Sequence, residues 1–125
     1  MIDPVTLGAL SAALDAASLR QQVAAANIAN VNTAGYVPLR VQFEELMLTS
    51  KNAFDRGERL DSRNLAAPRL TQAPAGTPIP YGTSAVSIDQ EVAGIARNAL
   101  HYQALVTSLS SQIALVNLAL TDGRR

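Results

Sequence analysis

Between Asn98 and Thr121 the chain carries no Asp, Glu, Lys or Arg, yet its apolar residues recur at helical spacing. Ile88, Val92, Ile95, Ala99, Tyr102, Val106, Leu109, Ile113, Val116 and Leu120 follow one another at alternating steps of four and three, the seam of a long helix. The spacing predicts that helix over 87–121. Ser87 with Gln90 makes a capping-box signature, and Asp89 and Glu91 suit the positive end of the helix dipole. Gly123 marks its end, where Arg124 and Arg125 complement the negative pole. A second apolar line, Leu100, Ala104, Ser108, Ser111, Leu115 and Leu118, accompanies the seam. A helix apolar on two sides needs partners on two sides, and one other helix of the same chain covers only one of them.

A second periodic segment occupies 4–31. Asp3 is placed to cap it, and Pro4 fits the first helical position, where no N–H is needed. Its seam is Leu7, Leu10, Leu14, Ala17, Gln21, Ala24, Ile28 and Val31, with Gln21 a polar member suited to setting register. Its only charges are Asp15 and Arg20. The run from Asn30 to Gly35 stops it, with Gly35 the residue best suited to the left-handed conformation of a helix end. Asn30 and Asn32 read as caps. Asn27, inside the helix, is the better candidate for a hydrogen bond to another helix or subunit. Tyr36 reads as a packing aromatic whose hydroxyl finds a local acceptor.

The middle differs in composition. Residues 36–86 hold five of the six prolines and eleven of the twenty charged side chains. Val37, Leu39, Val41 and Phe43 alternate, a short extended piece that Pro38 confines to an edge. Phe43, Leu46, Met47 and Phe54 form one face of a short helix near 42–54, and 64–84 reads as an extended or disordered loop. The charge-alternating run Arg56–Arg63 reads as a solvated rim. The fold class that follows is all-α: two long terminal helices form an antiparallel, coiled-coil-like pair. A central Pro/Gly-rich loop carries a short helix or extended piece. The expected division is 1–35, 36–86 and 87–125.

Composition excludes several kinds of function. The absence of cysteine removes disulfides, thiol nucleophiles and zinc ribbons. A formal net charge of zero gives no field to attract nucleic acid. Glu44 and Glu45 are adjacent and splay apart, the serines have no His in any triad order, and His101 stands alone. No phosphate-cradling glycine motif occurs. The expectation is no enzyme, no catalytic residue, no metal and no cofactor. The window Leu100–Leu120 is long enough to span a bilayer. It also holds His101, Gln103, Thr107, Ser108, Ser110, Ser111, Gln112 and Asn117, a polar load that opposes insertion of a lone span. What remains is an assembly in which the helices of each subunit are enclosed by those of its neighbours. A heterologous contact that does not close makes such an assembly a tube or filament. The N-terminal segment lacks Lys or Arg before Arg20, so no secretory signal peptide is expected there.

The stretch Ala26-Asn27-Ile28-Ala29-Asn30-Val31-Asn32-Thr33-Ala34-Gly35-Tyr36 resembles the N-terminal signature of the flagellar axial proteins, A/S-N-x-A-N-x-x-T-x-G-Y/F. Ala26, Asn27, Ala29, Asn30, Thr33, Gly35 and Tyr36 fill the signature positions, and Ala34 replaces the usual proline. The segment from Asn98 to Ala104 is similar to the N-A-x-x-Y-x-A stretch of a proximal member of the basal body rod family. The resemblance implies a subunit that polymerises into the hollow drive shaft between motor ring and hook. It implies export by the flagellar type III apparatus without a cleaved signal, and a place in the periplasmic rod. The partners it implies are copies of itself, rod proteins of the FlgC and FlgF types, the adaptor FliE, the MS ring and the export gate. Leu7, Leu10, Leu14 and Ile28 on the first helix are the expected packing residues. On the second they are Asn98, Tyr102, Val106, Leu109, Ile113, Leu115, Val116, Leu118 and Leu120. Alternatives are the FlgC type or another short rod protein and, from other classes, a free-standing helical adaptor or chaperone and a small membrane-anchored protein.

Overall fold

The computed structural model describes residues 4–59, 67–72 and 84–122. The cap expected at Asp3, the stop at Gly123–Arg125 and part of the Arg56–Arg63 run lie outside those residues. In chain order the elements are α1 (Pro4–Ala29), β1 (Leu39–Gln42), α2 (Glu44–Asp55), β2 (Arg69–Gln72) and α3 (Ile88–Asp122). The fold is mostly helical, but β1 and β2 pair antiparallel, from Leu39 opposite Gln72 to Gln42 opposite Arg69. All-α is therefore approximate. Strand β2 falls inside the stretch read as loop. Its four residues hold one large apolar side chain, Leu70, so no alternation marked it, and only pairing with β1 makes it a strand.

α1 and α3 run antiparallel. Asn98 Nδ2 donates to the Ala17 carbonyl at 2.7 Å and reaches Gln21 Oε1 at 3.2 Å, and the Ser84 hydroxyl donates to the Val31 carbonyl. Extending that register sets Pro4 beside about Ser111, so the last turns of α3 run on past the start of α1. The buried stripe of α1 is Ala16, Ala17, Val23, Ala24 and Asn27. These side chains are small, so the backbones can approach closely. Leu7 and Gln21 of the expected seam are exposed, and Leu10, Leu14 and Ile28 are half-buried.

On α3, Glu91 is buried, and Gly94, Ile95, Asn98, Leu105, Leu109, Gln112 and Val116 are half-buried. The inward stripe keeps Ile95, Leu109 and Val116 of the expected seam and departs from it elsewhere. Ile88, Val92, Tyr102, Val106, Ile113 and Leu120 lie exposed. A helix apolar on two faces has no periodicity that selects one, and here two polar contacts do so: Asn98 on α1, and Glu91 on Arg40 of β1.

The short helix expected near 42–54 is α2, with Leu46 and Met47 half-buried and Phe43 buried just before it. Phe54 and Leu48 are exposed. Its main tie to α1 is Arg20, whose Nη2 reaches both carboxylate oxygens of Glu44 at 2.5 Å. Gly57 ends the helix at φ 82°, while the Glu58 N–H returns to the Ala53 carbonyl at 3.1 Å.

Candidate functional site

α1 ends in a hydrogen-bonded turn built from the signature residues. Asn30 Nδ2 donates to the Ala26 carbonyl at 2.9 Å, and its Oδ1 accepts from the Thr33 hydroxyl at 3.1 Å. The Thr33 N–H closes on the Asn30 carbonyl, the Tyr36 N–H on that of Thr33, and between them Gly35 takes φ 73°. A side chain at Gly35 would meet no atom within 4 Å, so the backbone conformation rather than space calls for glycine.

Asn27 is the largest fully buried side chain among the described residues. Its Nδ2 donates to the Leu39 carbonyl at 3.0 Å, and its Oδ1 accepts from the Leu39 N–H at 2.9 Å and from the Tyr36 hydroxyl at 3.1 Å. The carboxamide thus pairs with Leu39 as a neighbouring strand residue would. Both backbone groups of Leu39 point at Asn27 and away from β2, which makes Leu39–Gln72 a non-hydrogen-bonded pair of the ladder. The bond expected from Asn27 to another helix or subunit is instead made within the chain, to β1. Burial leaves nothing of the amide for a neighbour.

Arg40 Nη1 donates to the Leu39 carbonyl at 3.0 Å and to Glu91 Oε1 at 2.7 Å, and the Ala85 N–H donates to the Tyr36 carbonyl at 3.2 Å. α1, β1 and the lead into α3 therefore converge on one turn. The sequence marked Leu39 as part of an extended piece and Glu91 as suited to the helix dipole, but nothing in it marked these partnerships or singled out Arg40, Ser84 and Ala85, because the partners stand 12 to 53 residues apart. A cleft of about 550 Å3 opens between the three elements, around Gly94 and lined also by Arg20, Arg97 and Asn98. Asn98 Oδ1, beside it in the chain, is buried without a hydrogen-bond partner. Among the described residues no group of three or more His, Asp or Glu side chains is placed to hold a metal.

Beyond Asn98 the outer faces of α3 are apolar and bare. Leu100 is 70% exposed, Leu115 60% and Leu120 67%, and Tyr102, Val106, Ile113 and Leu118 are exposed with them. Three of the hydroxyls among them bond inward, Thr107 to the Gln103 carbonyl, Ser108 to Ala104 and Ser111 to Thr107, all at 2.9–3.0 Å. Each already has an acceptor within its own helix.

Residues 7–36, ending at the signature tyrosine, match the family described as flagella basal body rod protein. Over 123 residues the chain is 26% identical to the flagellar basal body rod protein FlgB of Bacillus subtilis (strain 168), a similarity that spans 95% of each. The chain is similar to the flagellar basal body rod proteins, FlgB among them. That similarity supports a structural role in the rod and a place in the flagellar basal body; the family is one of structural proteins rather than enzymes. The FlgB-type similarity runs through the central segment as well as the terminal helices. The family match itself is confined to α1 and its closing turn.

Proposed function

We propose that the chain is a structural subunit of the proximal rod of the bacterial flagellum, polymerising into the hollow shaft that carries torque from motor ring to hook. The core of the subunit is 1–35 with 87–125, and 36–86 is its variable segment. Copies of itself, rod proteins of the FlgC and FlgF types, the adaptor FliE, the MS ring and the export gate are its neighbours. It reaches the periplasm through the flagellar export apparatus without losing a signal peptide.

The observation that carries this reading is the uncharged, exposed outer surface of α3 beyond Asn98. Hydroxyls satisfied within the helix lower the cost of covering that surface. α3 is also long and apolar enough to cross a membrane by length and composition. Gln112 and Asn117 in its most apolar half, and the tie of its first turns to α1, favour a protein neighbour.

Leu115→Asp and Leu109→Asp test the proposal in the source bacterium lacking the native gene. Leu115 is exposed, so its replacement leaves folding within about 0.5 kcal/mol of the parent and abolishes rod assembly and swimming. Leu109 is half-buried, so its replacement lowers the melting temperature as well. Normal swimming with Leu115→Asp, or rods and flagella in the gene deletion, overturns the proposal. So does recovery of the chain with the membrane in cells that build no flagella.

A further inference from the structure

α1 and α3 together carry few charges, and most have an evident role. Arg20 is bound to Glu44, Glu91 is bound to Arg40, and Asp89 sits in the first turn of α3, where the helix dipole favours it. Among the described residues of the two helices before Asp122, this leaves Asp15 and Arg97, one of each sign. Both are exposed and neither makes an ion pair. They also share a height. Asn98, next to Arg97, bonds to Ala17, two residues from Asp15. At 1.5 Å per residue the two charges lie within about 5 Å of one another along the helix axes.

We infer that Arg97 of one copy pairs with Asp15 of a neighbouring copy lying beside it at nearly the same axial level. The partner is a second copy of this chain, on the ground of charge complementarity: each copy offers, away from the helix ends, one carboxylate and one guanidinium that no ion pair of its own chain holds. A planar guanidinium meets a carboxylate through two parallel hydrogen bonds, which sets register as well as attraction. In the open assembly proposed above the contact is heterologous: each copy gives Arg97 to one neighbour and Asp15 to another, so it repeats from subunit to subunit, whereas two such pairs between the same two copies would close a dimer. The exposed apolar faces set how strongly copies associate, and this pair sets where along the axis they stop. The inference rests on the rod reading given above.

Charge reversal tests it in the source bacterium. Asp15→Arg faces one guanidinium with another, Arg97→Asp faces two carboxylates, and the combined variant restores opposite signs. The expected result is a loss on the order of tenfold or more in flagellated cells for each single change, with recovery in the double variant. Single variants that swim like the parent overturn the pairing while leaving the rod reading intact. Single variants that fail without rescue assign these charges to a different partner and overturn it equally. A parent gene that fails to restore rods in the deletion strikes the rod reading itself.

Cysteine chemistry gives a readout independent of motility, since the chain has no native cysteine. With Asp15→Cys and Arg97→Cys in one chain, a short bis-maleimide applied to isolated basal bodies yields a ladder of cross-linked copies. Dimers alone point to a closed two-fold contact, and uncross-linked monomers to no contact. Either overturns the proposal.

Discussion

Asn27 shows how a signature residue works at the scale of single atoms. It lies in the last turn of α1, and its carboxamide is held by Leu39 and Tyr36. Asn27→Leu keeps the branching and the heavy-atom count and strips the Leu39 N–H of its acceptor. The Leu39 carbonyl loses its amide donor and keeps only Arg40. Orphaned backbone groups of this kind cost about 1–3 kcal/mol each when buried. The expected loss of unfolding free energy is therefore about 2–4 kcal/mol, read by urea denaturation followed by circular dichroism. Tyr36→Phe removes one bond and costs about 1 kcal/mol. If both variants lose the same small amount, the amide is not the clamp described above. The signature spacing was plain in the sequence, but Leu39 as its partner was not. The two are twelve residues apart, and nothing local marks a backbone that a side chain will pair with.

At the scale of elements, among the described residues two ion pairs join the central segment to the long helices, and their surroundings make them unequal. The Glu44 side chain is 68% exposed, so Arg20–Glu44 is close to a surface pair worth about 0.2–1 kcal/mol. The Glu91 side chain is 7% exposed, so removing Arg40 strands a buried carboxylate. Breaking a buried pair costs about 3–5 kcal/mol, and Arg40, itself partly exposed, belongs below that range at about 2 kcal/mol. Arg40→Ala is expected to lower global stability and to release β1. Arg20→Ala is expected to leave it nearly unchanged while amide exchange in α2 quickens. Equal effects of the two substitutions would contradict this ranking. The helices themselves were legible: α3 begins and ends within a residue of expectation, and α1 stops at Ala29, before the asparagine-rich turn. The strand pair was legible only by half, because β1 alternates and β2 does not.

At the scale of the whole molecule, the described core is small. The buried apolar residues are Ala16, Ala17, Val23, Ala24 and Phe43. Such a core gives an isolated copy uneven stability. In hydrogen exchange the protected amides are expected where α1, β1 and the first turns of α3 meet, at about 16–28 and 91–99. Those beyond about Ser111, past the start of α1, are expected to exchange fastest in the free chain and to gain protection on assembly. Uniform protection along α3 in the free chain would mean that its outer face has no need of neighbours.

The sequence by itself determined the two long helices, the short third helix, the turn that closes the first and the surplus of apolar surface. All four depend on spacing and residue type within a few turns of chain. The tertiary structure alone decided which stripe of each helix faces inward, and that Asn27 serves β1 instead of a neighbour. Where a helix is apolar on more than one side, the hydrophobic effect is nearly indifferent to its rotation. A few directional polar contacts between distant residues then make the choice, and they exist only once the chain has folded.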